Sequence, residues 1–387
     1  MIRLVLLADF SETYPTELLH GILTYSKGRE PWVVSRMPAS FRVENGLKGV
    51  VEWAKLWKAD AIIGQFDVSD DVGMFAQNGV VAVALDFIKR FENVPNITAD
   101  YVYQGRQAAD FLIGKGFRNF AFYGYKSAVW SSERMQGFID QLISHGHRPP
   151  HLLAQNMETN IWCLDIDTVV EWLSSLPKPI AIFACDDTHA NVVLEACRLL
   201  KLKVPSEIAV LGVDNDEIMC NLTDPQLSSI SLDIRGAGYN TARYIDSVLH
   251  GEKSSGNDII VDFLDIVERQ STNILMTENR HILKILSFLH QHYAENLPVS
   301  RLIEMVPMSR RLLENTFKEE TGTTIHQYIM EIRFERMKQM LVSTDIPVAD
   351  LAIATGLSDV KNVARIFRKR VGVTPLEYRQ HHGIRHK

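Results

Sequence analysis

The sequence is poor in cysteine, and its few cysteines follow no metal-binding spacing. It has four in 387 residues, namely Cys163, Cys185, Cys197 and Cys220. No two of them form a Cys-x-x-Cys pair or another zinc spacing, so we expect buried thiols in a reducing compartment. His381, His382 and His386 near the C-terminus offer metal ligands, but a frayed tail without acidic partners is the favoured interpretation. We therefore predict no metal site.

The sequence also lacks long apolar runs and nucleotide-binding loops. The run LVLLA at residues 4–8 is too short for a signal peptide, and no run approaches the length of a membrane span. No Gly-x-Gly-x-x-Gly follows a predicted strand, and GKGFRN at residues 114–119 lacks P-loop spacing. No nucleophile stands beside a recognisable base. We therefore expect a cytoplasmic protein that uses no cofactor and is not an enzyme.

Charge is unevenly distributed along the chain. The whole sequence has a net charge of −6, but residues 280–387 hold 17 Lys and Arg against 11 Asp and Glu, a balance of +6. The 24 basic and 36 acidic residues of positions 1–279 give −12. A basic C-terminal part suits contact with phosphate, and an acidic N-terminal part suits solubility. The length allows two or three domains.

Two short amphipathic helices are predicted near the C-terminus, at residues 348–356 and 360–371, joined by a GLS turn. At about 100° per residue, the second helix has an apolar face and a basic face beside it. The apolar face comprises Val360, Val363, Ala364, Phe367 and Val371. Such a pair is typical of a helix-turn-helix, whose second helix lies in the DNA major groove. The alternative is a solvated basic face on a small bundle.

The same plan occurs about fifty residues earlier, at residues 299–322. A short helix leads to a turn that ends at Ser309, and a second helix follows with Leu312, Leu313 and Phe317 expected to point inward. The intervening residues 323–344 read as one long helix. Two such units could present recognition helices to successive major-groove turns, about 34 Å apart on B-DNA.

Polar side chains on the two recognition helices are the predicted DNA contacts. In the first helix they are Ser309, Arg310, Arg311 and Asn315; in the second they are Lys361, Asn362, Arg365, Arg368 and Lys369. Asn suits adenine edges and Arg suits guanine edges in the major groove. Arg368 and Lys369 are expected to contact phosphate and set the register.

The first 270 residues alternate short apolar strands with amphipathic helices. Eight strands are predicted: IRLVLLA, WVVSRM, AIIGQF, VVAVAL, FAFYG, AIFACD, AVLGVD and SSISLD. Continuously apolar strands in β/α alternation predict doubly wound parallel sheets covered on both faces. Ligands bind at the carboxyl ends of such strands. The polar residues found there are Asp9 with Phe10, Asp186 with Asp187, and Asp214 with Asn215.

Each of these aspartates has two interpretations. Helix N-capping is the ordinary use of an Asp at a strand-to-helix turn. We expect Asp187 and Asp216 to be caps. Asp9, Asp186 and Asp214 are instead expected to share a cleft.

Residues 280–380 resemble the DNA-binding domain of the AraC/XylS family of transcription regulators. The family pattern GLSD…F.K..GVTPLEYR is met by Gly356, Leu357, Phe367, Lys369, Gly372, Thr374, Pro375, Tyr378 and Arg379. Two departures are Val363, where the family usually has Phe, and Pro307 just before the first recognition helix. The resemblance implies an all-α domain with two helix-turn-helix units.

Residues 2–272 resemble the effector domain of LacI/GalR regulators, most strongly in AIFACDDTHANVVLEACRLL and VLGVDNDEI. This implies a two-lobed, periplasmic-binding-protein-like fold with a sugar cleft touched by Arg134, Trp162, Asp186 and Asp214. The chemistry fits, because guanidinium donates several hydrogen bonds, carboxylates accept from hydroxyls, and an indole covers the apolar side of a sugar ring. Core packing of Trp162 and a surface ion pair for Arg134 are the alternatives.

Further pocket residues are expected near the first strand, at Asp9, Phe10 and Tyr14. The order of the two domains departs from LacI/GalR proteins, whose helix-turn-helix comes first. A LacI-like sensor followed by an AraC-like reader resembles bacterial regulators of xylose catabolism. The resemblance implies a sugar-responsive activator with xylose as the favoured effector. Its expected partners are duplex operator DNA, RNA polymerase and a second copy of the chain.

Two alternatives to this function stay open. The same architecture could respond to another monosaccharide or act as a repressor. A sugar-phosphate enzyme of the α/β class with an accessory helical domain is the alternative from another class.

The expected effector domain is 1–271, with one lobe from about 1–98 and 233–258 and the other from about 99–231. A linker at 272–279 and a DNA-binding domain at 280–387 are expected to follow.

Overall fold

The predicted strands form two sheets in the computed structural model of the chain. The structure describes all residues except 11, 156–165, 253–256, 275–276, 278, 345, 358–359 and 383–387. The chain divides into two compact units, Met1–Thr272 and Asn273–Lys387. The first unit contains both sheets, and the second is helical.

The first sheet has six strands, all paired in parallel. They are β1 (Ile2–Ala8), β2 (Trp32–Pro38), β3 (Ala61–Gln65), β4 (Val81–Leu85), β5 (Asn96–Thr98) and β11 (Ile259–Ile260). Their spatial order is β11-β5-β4-β3-β1-β2. The helices of this lobe are α1 (Thr13–Ser26), α2 (Ala39–Trp57), α3 (Gly73–Gln77) and α9 (Ile234–Leu249).

The second sheet also has six strands, in the order β12-β10-β9-β8-β6-β7. Their bounds are β6 (Phe120–Tyr125), β7 (His151–Gln155), β8 (Ile180–Ala184), β9 (Ile208–Val213), β10 (Ser228–Leu232) and β12 (Phe263–Val267). Only the β10–β12 pair is antiparallel among those described. The helices are α4 (Tyr101–Gly114), α5 (Val129–Ser144), α6 (Ile166–Ser175), α7 (Asp187–Leu199) and α8 (Glu217–Leu222).

The chain passes between the two lobes three times. The passages lie between β5 and α4, between β10 and α9, and between β11 and β12. All eight predicted strands are present, and the two-lobed, doubly wound fold is confirmed. The central strands are buried on both faces, as Leu4 to Ala8 of β1 illustrate with no exposed surface. Burial on both faces explains why these strands are continuously apolar.

The C-terminal unit consists of seven helices among its described residues. They are α10 (Arg280–His292), α11 (Val299–Ile303), α12 (Arg310–Thr321), α13 (Ile325–Ser343), α14 (Val348–Ala354), α15 (Val360–Val371) and α16 (Pro375–His382). The pairs α11–α12 and α14–α15 are the two predicted helix-turn-helix units, and α13 joins them. The longest helices, α2 and α13, have 19 residues each. No helix of the described chain is apolar enough over a sufficient length to span a membrane.

The two helix-turn-helix units have separate cores of the same design. Phe317 is fully buried in the first core and packs edge-on against Tyr328, with ring centroids 5.5 Å apart. Phe367, fifty residues later, is fully buried in the second and packs edge-on against Tyr378 at 5.6 Å. The predicted repeat is therefore present as a repeat of side-chain packing.

Candidate functional site

Arg134 on α5 is one of the buried cations of the first unit. Its side chain is 4% exposed. The Nε atom donates to Oε1 of Gln104 at 2.8 Å, and Nη1 donates to the backbone carbonyl of Cys185 at 2.6 Å. The guanidinium also lies 5.2 Å and 5.4 Å from the ring centroids of Tyr101 and Trp130. The surface ion pair considered for Arg134 is therefore excluded by its burial.

Two glycines bring α4 and α5 close enough for these contacts. A Cβ on Gly105 would lie 2.1 Å from the Arg134 carbonyl oxygen, and a Cβ on Gly137 would lie 2.0 Å from that of Val102. Larger side chains at either position would separate the helices. The close packing of α4 and α5 therefore allows the Arg134 side chain to contact Gln104, which lies on α4.

Asp214 follows β9 and faces Arg134, with Oδ1 3.8 Å from Nη2. Asp214 and Asn215 both have positive φ, 97° and 51°, which Asp and Asn tolerate better than most residues. Burial raises the pKa of Asp214 to about 6, with Asp186 adding to the rise and Arg134 opposing it. This carboxylate is therefore held at the cleft by an unusual turn.

Asp186 follows β8 and is the N-cap of α7. Its Oδ1 accepts from the backbone N–H of His189 and lies 2.7 Å from the imidazole Nδ1 of the same residue. Burial acts to raise the pKa of Asp186, but the charge and hydrogen bonds of His189, with Arg134, outweigh it and lower the pKa. Asp186 therefore combines the capping and cleft roles that the sequence analysis treated as alternatives.

The prediction that Asp187 caps a helix is wrong. Asp187 lies inside the first turn of α7, 3% exposed, and accepts hydrogen bonds from the Asp216 N–H at 2.8 Å and from Ser229 Oγ at 2.6 Å. Asp187 thus stabilises the 214–216 turn through its hydrogen bond with Asp216. Asp216 is a cap as predicted, since it accepts from the Met219 N–H at the start of α8.

The loop after β1 brings a carboxylate that the sequence analysis missed. Desolvation raises the pKa of Glu12 to about 8, and the nearby charges of Asp186, Asp214 and Asp9 add to the rise, although part of the side chain is exposed. The three predicted aspartates are therefore near enough to one glutamate to affect its pKa. A signal was available in the sequence, because Glu12 follows Asp9 by three residues in the same strand-end loop.

The other two residues predicted near the first strand are Phe10, in the loop after β1, and Tyr14, in the first turn of α1. Phe10 is half-buried, with the Arg36 guanidinium 5.4 Å from its ring centroid. Tyr14 is half-buried, and its pKa is raised by burial and by the charges of Asp86 and Asp214. The Tyr14 hydroxyl is therefore near enough to carboxylates of both lobes for their charges to affect its pKa.

Asp86, after β4, is a second missed carboxylate. It is 4% exposed and accepts from the Tyr101 hydroxyl at 2.8 Å and from Thr98 Oγ1. Burial raises its pKa to about 6, although these two donors and Arg90 oppose the rise. Asp9 was selected because ligands bind at the carboxyl ends of parallel strands. The same reasoning would have selected Asp86, because Asp86 directly follows the predicted strand VVAVAL.

Several contacts join the lobes around this cleft. Arg90 of the first lobe makes a two-pronged ion pair with Glu133 of α5, at 2.6 and 2.8 Å. Thr13 donates to Asp216. Thr188 Oγ1 donates to Glu12 Oε2 at 3.4 Å. These polar contacts join residues of the first lobe to residues of the second.

Among the described residues, one group of side chains has metal-ligand chemistry and suitable spacing. The ligand atoms of Cys185, Asp186 and His189 lie within 4.8 Å of one another. However, Nδ1 of His189 already pairs with Asp186, and burial raises the pKa of the Cys185 thiol well above its ordinary value. A neutral thiol is a poor metal ligand. The group therefore suits a hydrogen-bonding role.

The cleft as a whole can accept hydrogen bonds from a polyhydroxylated ligand. Its carboxyl groups are Asp9, Glu12, Asp86, Asp186, Asp214 and Asp216, and its buried cation is Arg134. Carboxylates accept from hydroxyls, and aromatic rings such as Trp130 cover apolar sugar faces. Trp162, predicted to contact the effector, lies outside the described residues.

The first recognition helix, α12, begins at a capped N-terminus. Ser309 Oγ accepts from the Leu312 N–H at 3.3 Å. Arg311 and Asn315 are exposed, whereas Arg310 pairs with Glu314 on the same helix at 3.0 Å. Leu312 was predicted to point inward, and this is wrong: it is 51% exposed, because Leu313 and Phe317 already fill the core.

The second recognition helix, α15, exposes Arg365, Arg368 and Lys369. The side chains of Lys361 and Asn362 lie outside the described part of this helix. Arg370, which the helical pattern places toward the apolar side, pairs with Glu331 of α13 at 2.6 Å. Its guanidinium also lies 4.7 Å from the ring centroid of Phe334.

Comparison with known proteins identifies both domains. Residues 109–272 match a periplasmic binding protein-like domain, and residues 302–381 match a helix-turn-helix domain. The xylose operon regulatory protein of Haemophilus influenzae is 27% identical over 97% of this chain and 98% of its own length. That of Escherichia coli is 26% identical over 97% of this chain and 96% of its own length.

A solved structure extends this similarity to the fold of the whole chain. The structure of the xylose-binding transcription activator XylR has a TM-score of 0.71 at 25% identity, and the match covers 99% of this chain and 98% of that one. These relatives are regulators and not enzymes. The chain therefore carries a periplasmic binding protein-like domain followed by a helix-turn-helix domain, and over nearly its whole length it is similar to regulators of the xylose operon.

Proposed function

We propose that the chain activates genes of xylose or related pentose catabolism when a neutral sugar binds between the lobes of its effector domain. The observation that carries this proposal is that carboxyl groups of both lobes meet at the cleft, where Asp214 lies 3.8 Å from the buried Arg134 and Glu12 accepts from Thr188 of the opposite lobe. The names of the xylose-responsive relatives favour xylose among neutral sugars. Domain limits of 1–271 and 280–387 with a linker at 272–279 belong to the same proposal.

The charge of the cleft supports a neutral effector over a phosphorylated one. The carboxyl groups outnumber the cations, and both Arg134 and Arg90 already face protein acceptors. A phosphate would therefore meet repulsion and few donors. Vicinal hydroxyls would instead find acceptors in Asp186 and Asp214, with Asp9, Phe10 and Tyr14 on the opposite lobe.

Sugar binding would act by favouring the closed form of the lobes. A ligand shifts a conformational equilibrium only by its differential affinity for the two forms. Contacts between lobes, such as Arg90 with Glu133, contribute to the closed form, and a sugar bridging Asp214 and the β1 loop would add to them. In a homodimer in the cytoplasm, closure would change how paired recognition helices engage two half-sites and RNA polymerase.

A thermal-shift screen of the full chain against pentoses, hexoses and a pentose phosphate tests the sensor. A neutral pentose at 100 times its Kd should stabilise the chain by about 2.7 kcal/mol. Asp214→Asn should remove that shift, while Asp140→Asn, an exposed change on the outer side of α5, should keep it. A shift with the phosphate alone would overturn the cleft chemistry. No shift with any sugar would overturn the sensor itself.

Genome-wide footprinting with and without xylose tests the regulator. Occupied sites upstream of pentose genes whose transcription rises with xylose are expected. Occupied sites that are released by xylose would assign repression instead. A response to another monosaccharide would change the effector and keep the architecture.

A further inference from the structure

An exposed leucine stands on the outward face of the first recognition helix. Leu312 is 51% exposed, although it lies directly beside the fully buried Leu313. Isolated apolar residues are common on protein surfaces, so exposure alone indicates no contact. The residues on the same face of α12 indicate what Leu312 contacts.

Leu312 shares its face with the predicted base-contacting residues. At 100° per residue, Arg311, Leu312 and Asn315 fall within one arc of about 100°. The buried Leu313 and Phe317 occupy the opposite side of α12. Arg310 is drawn to Glu314 on its own helix. The outward surface of the first two turns therefore includes one cation, one amide and one apolar side chain.

The fifty-residue repeat identifies the matching positions on α15. Phe317 with Phe367 and Gly322 with Gly372 fix the alignment, since each pair has the same packing or the same positive φ. Leu312 then corresponds to Asn362. The second unit thus has a hydrogen-bonding residue where the first has an apolar one.

We propose that Leu312 is a specificity residue that contacts the 5-methyl group of a thymine. In the major groove, thymine is the base that presents an apolar methyl group. A leucine there would bury apolar surface from both partners, whereas it offers nothing to the polar edges of guanine or cytosine. Asn315 suits adenine. Together, Leu312 and Asn315 give the base pairs contacted by α12 a preference for A·T. This inference rests on DNA reading by α12.

Uracil substitution tests the contact without altering base pairing. Duplexes bound by the full chain are first selected from random-sequence DNA, and each thymine of the bound site is then replaced in turn by deoxyuridine. Loss of one buried methyl group should weaken binding about fourfold at one position. Leu312→Ala should bind the thymine site about as weakly and should show no further loss with uracil at that position.

A matched variant separates this contact from general effects of removing an exposed apolar side chain. Ile353→Ala changes a residue that is 65% exposed on α14, and it should keep the fourfold uracil effect. The contact is overturned if no thymine is sensitive to uracil, or if Leu312→Ala keeps the sensitivity. A chain that selects no DNA at all would overturn the proposed regulator as well as the contact.

Discussion

The two helix-turn-helix units share a scaffold but differ in their recognition helices. Inward positions recur at a spacing of fifty residues, as Phe317 with Phe367 and Tyr328 with Tyr378 show. The charge balance of the two helices does not recur, since α12 has three basic and three acidic residues, whereas α15 has five basic and no acidic ones. Packing constrains the inward set, and the bound duplex constrains the outward set. The two helices are therefore expected to contribute differently to affinity and to specificity.

The largest effect should come from the repeated core. Phe317→Ala and Phe367→Ala each remove a fully buried ring and should destabilise their own unit by about 3–5 kcal/mol. Hydrogen exchange of the full chain, followed by mass spectrometry of α10–α16 peptides, measures the loss for each unit. Leu376→Ala, at a position 60% exposed, should change little. A cost below about 1 kcal/mol at one of the two phenylalanines would break the structural equivalence of the units.

Next in size is the expected loss of a base contact. Arg365→Ala should cost about 1–3 kcal/mol on the preferred site and relax the preference at one base pair. Titrations against the selected duplex and its single-base variants measure both quantities. Equal weakening on every duplex would instead assign Arg365 to phosphate.

The helix caps should have a smaller and slightly unequal effect. Thr324 and Thr374 both form capping boxes, with Gln327 and Glu377 respectively. Each Thr→Ala change should cost about 1 kcal/mol of local stability, and Thr→Ser should restore most of it. Because Glu377 is charged, the Thr374 box should be the stronger. Hydrogen exchange of α13 and α16 measures the two, and a larger loss at Thr324 would contradict this ranking.

The smallest effect should come from the loss of a contact between α15 and a DNA phosphate. Arg368→Ala on α15 should weaken binding to all duplexes alike and reduce the salt slope by about 0.9. That corresponds to a roughly threefold smaller loss of affinity between 50 and 200 mM salt. Arg310→Ala on α12 should change the slope less, because Arg310 pairs with Glu314. Salt titrations compare the two, and a larger change for Arg310 would reverse the assigned roles.

Strands with continuous apolar runs were predictable, whereas very short strands and three of the sheet-edge strands were not. All eight predicted strands are present, but β5, β7, β11 and β12 were missed. β5 and β11 have three and two residues, and β7 and β12, with five residues each, lie at the two edges of the second sheet. Such segments are defined by their partner strands, so their own sequence gives little signal.

The cleft residues also divide into those that the sequence predicted and those that it did not. Asp186 and Asp214 were predicted from their position at strand ends, and the structure brings both toward Glu12. Glu12 and Asp86 were missed, and Asp187 was assigned to a cap although it supports the 214–216 turn. Leu312 was assigned to the core from helical spacing alone. Spacing specifies a face of a helix, but the neighbouring helices decide how much of that face is covered.

The sequence by itself determined the order of the two domains, the parallel α/β architecture, the repeated helix-turn-helix plan and the opposite charge of the two ends. These features depend on periodicity, turn residues and charge, which are local properties of the chain. Only the tertiary structure decided which carboxyl groups converge, that Arg134 is buried beside two aromatic rings, and that Leu312 faces outward. Burial and distances between remote residues depend on packing of the whole domain, and no local pattern contains them.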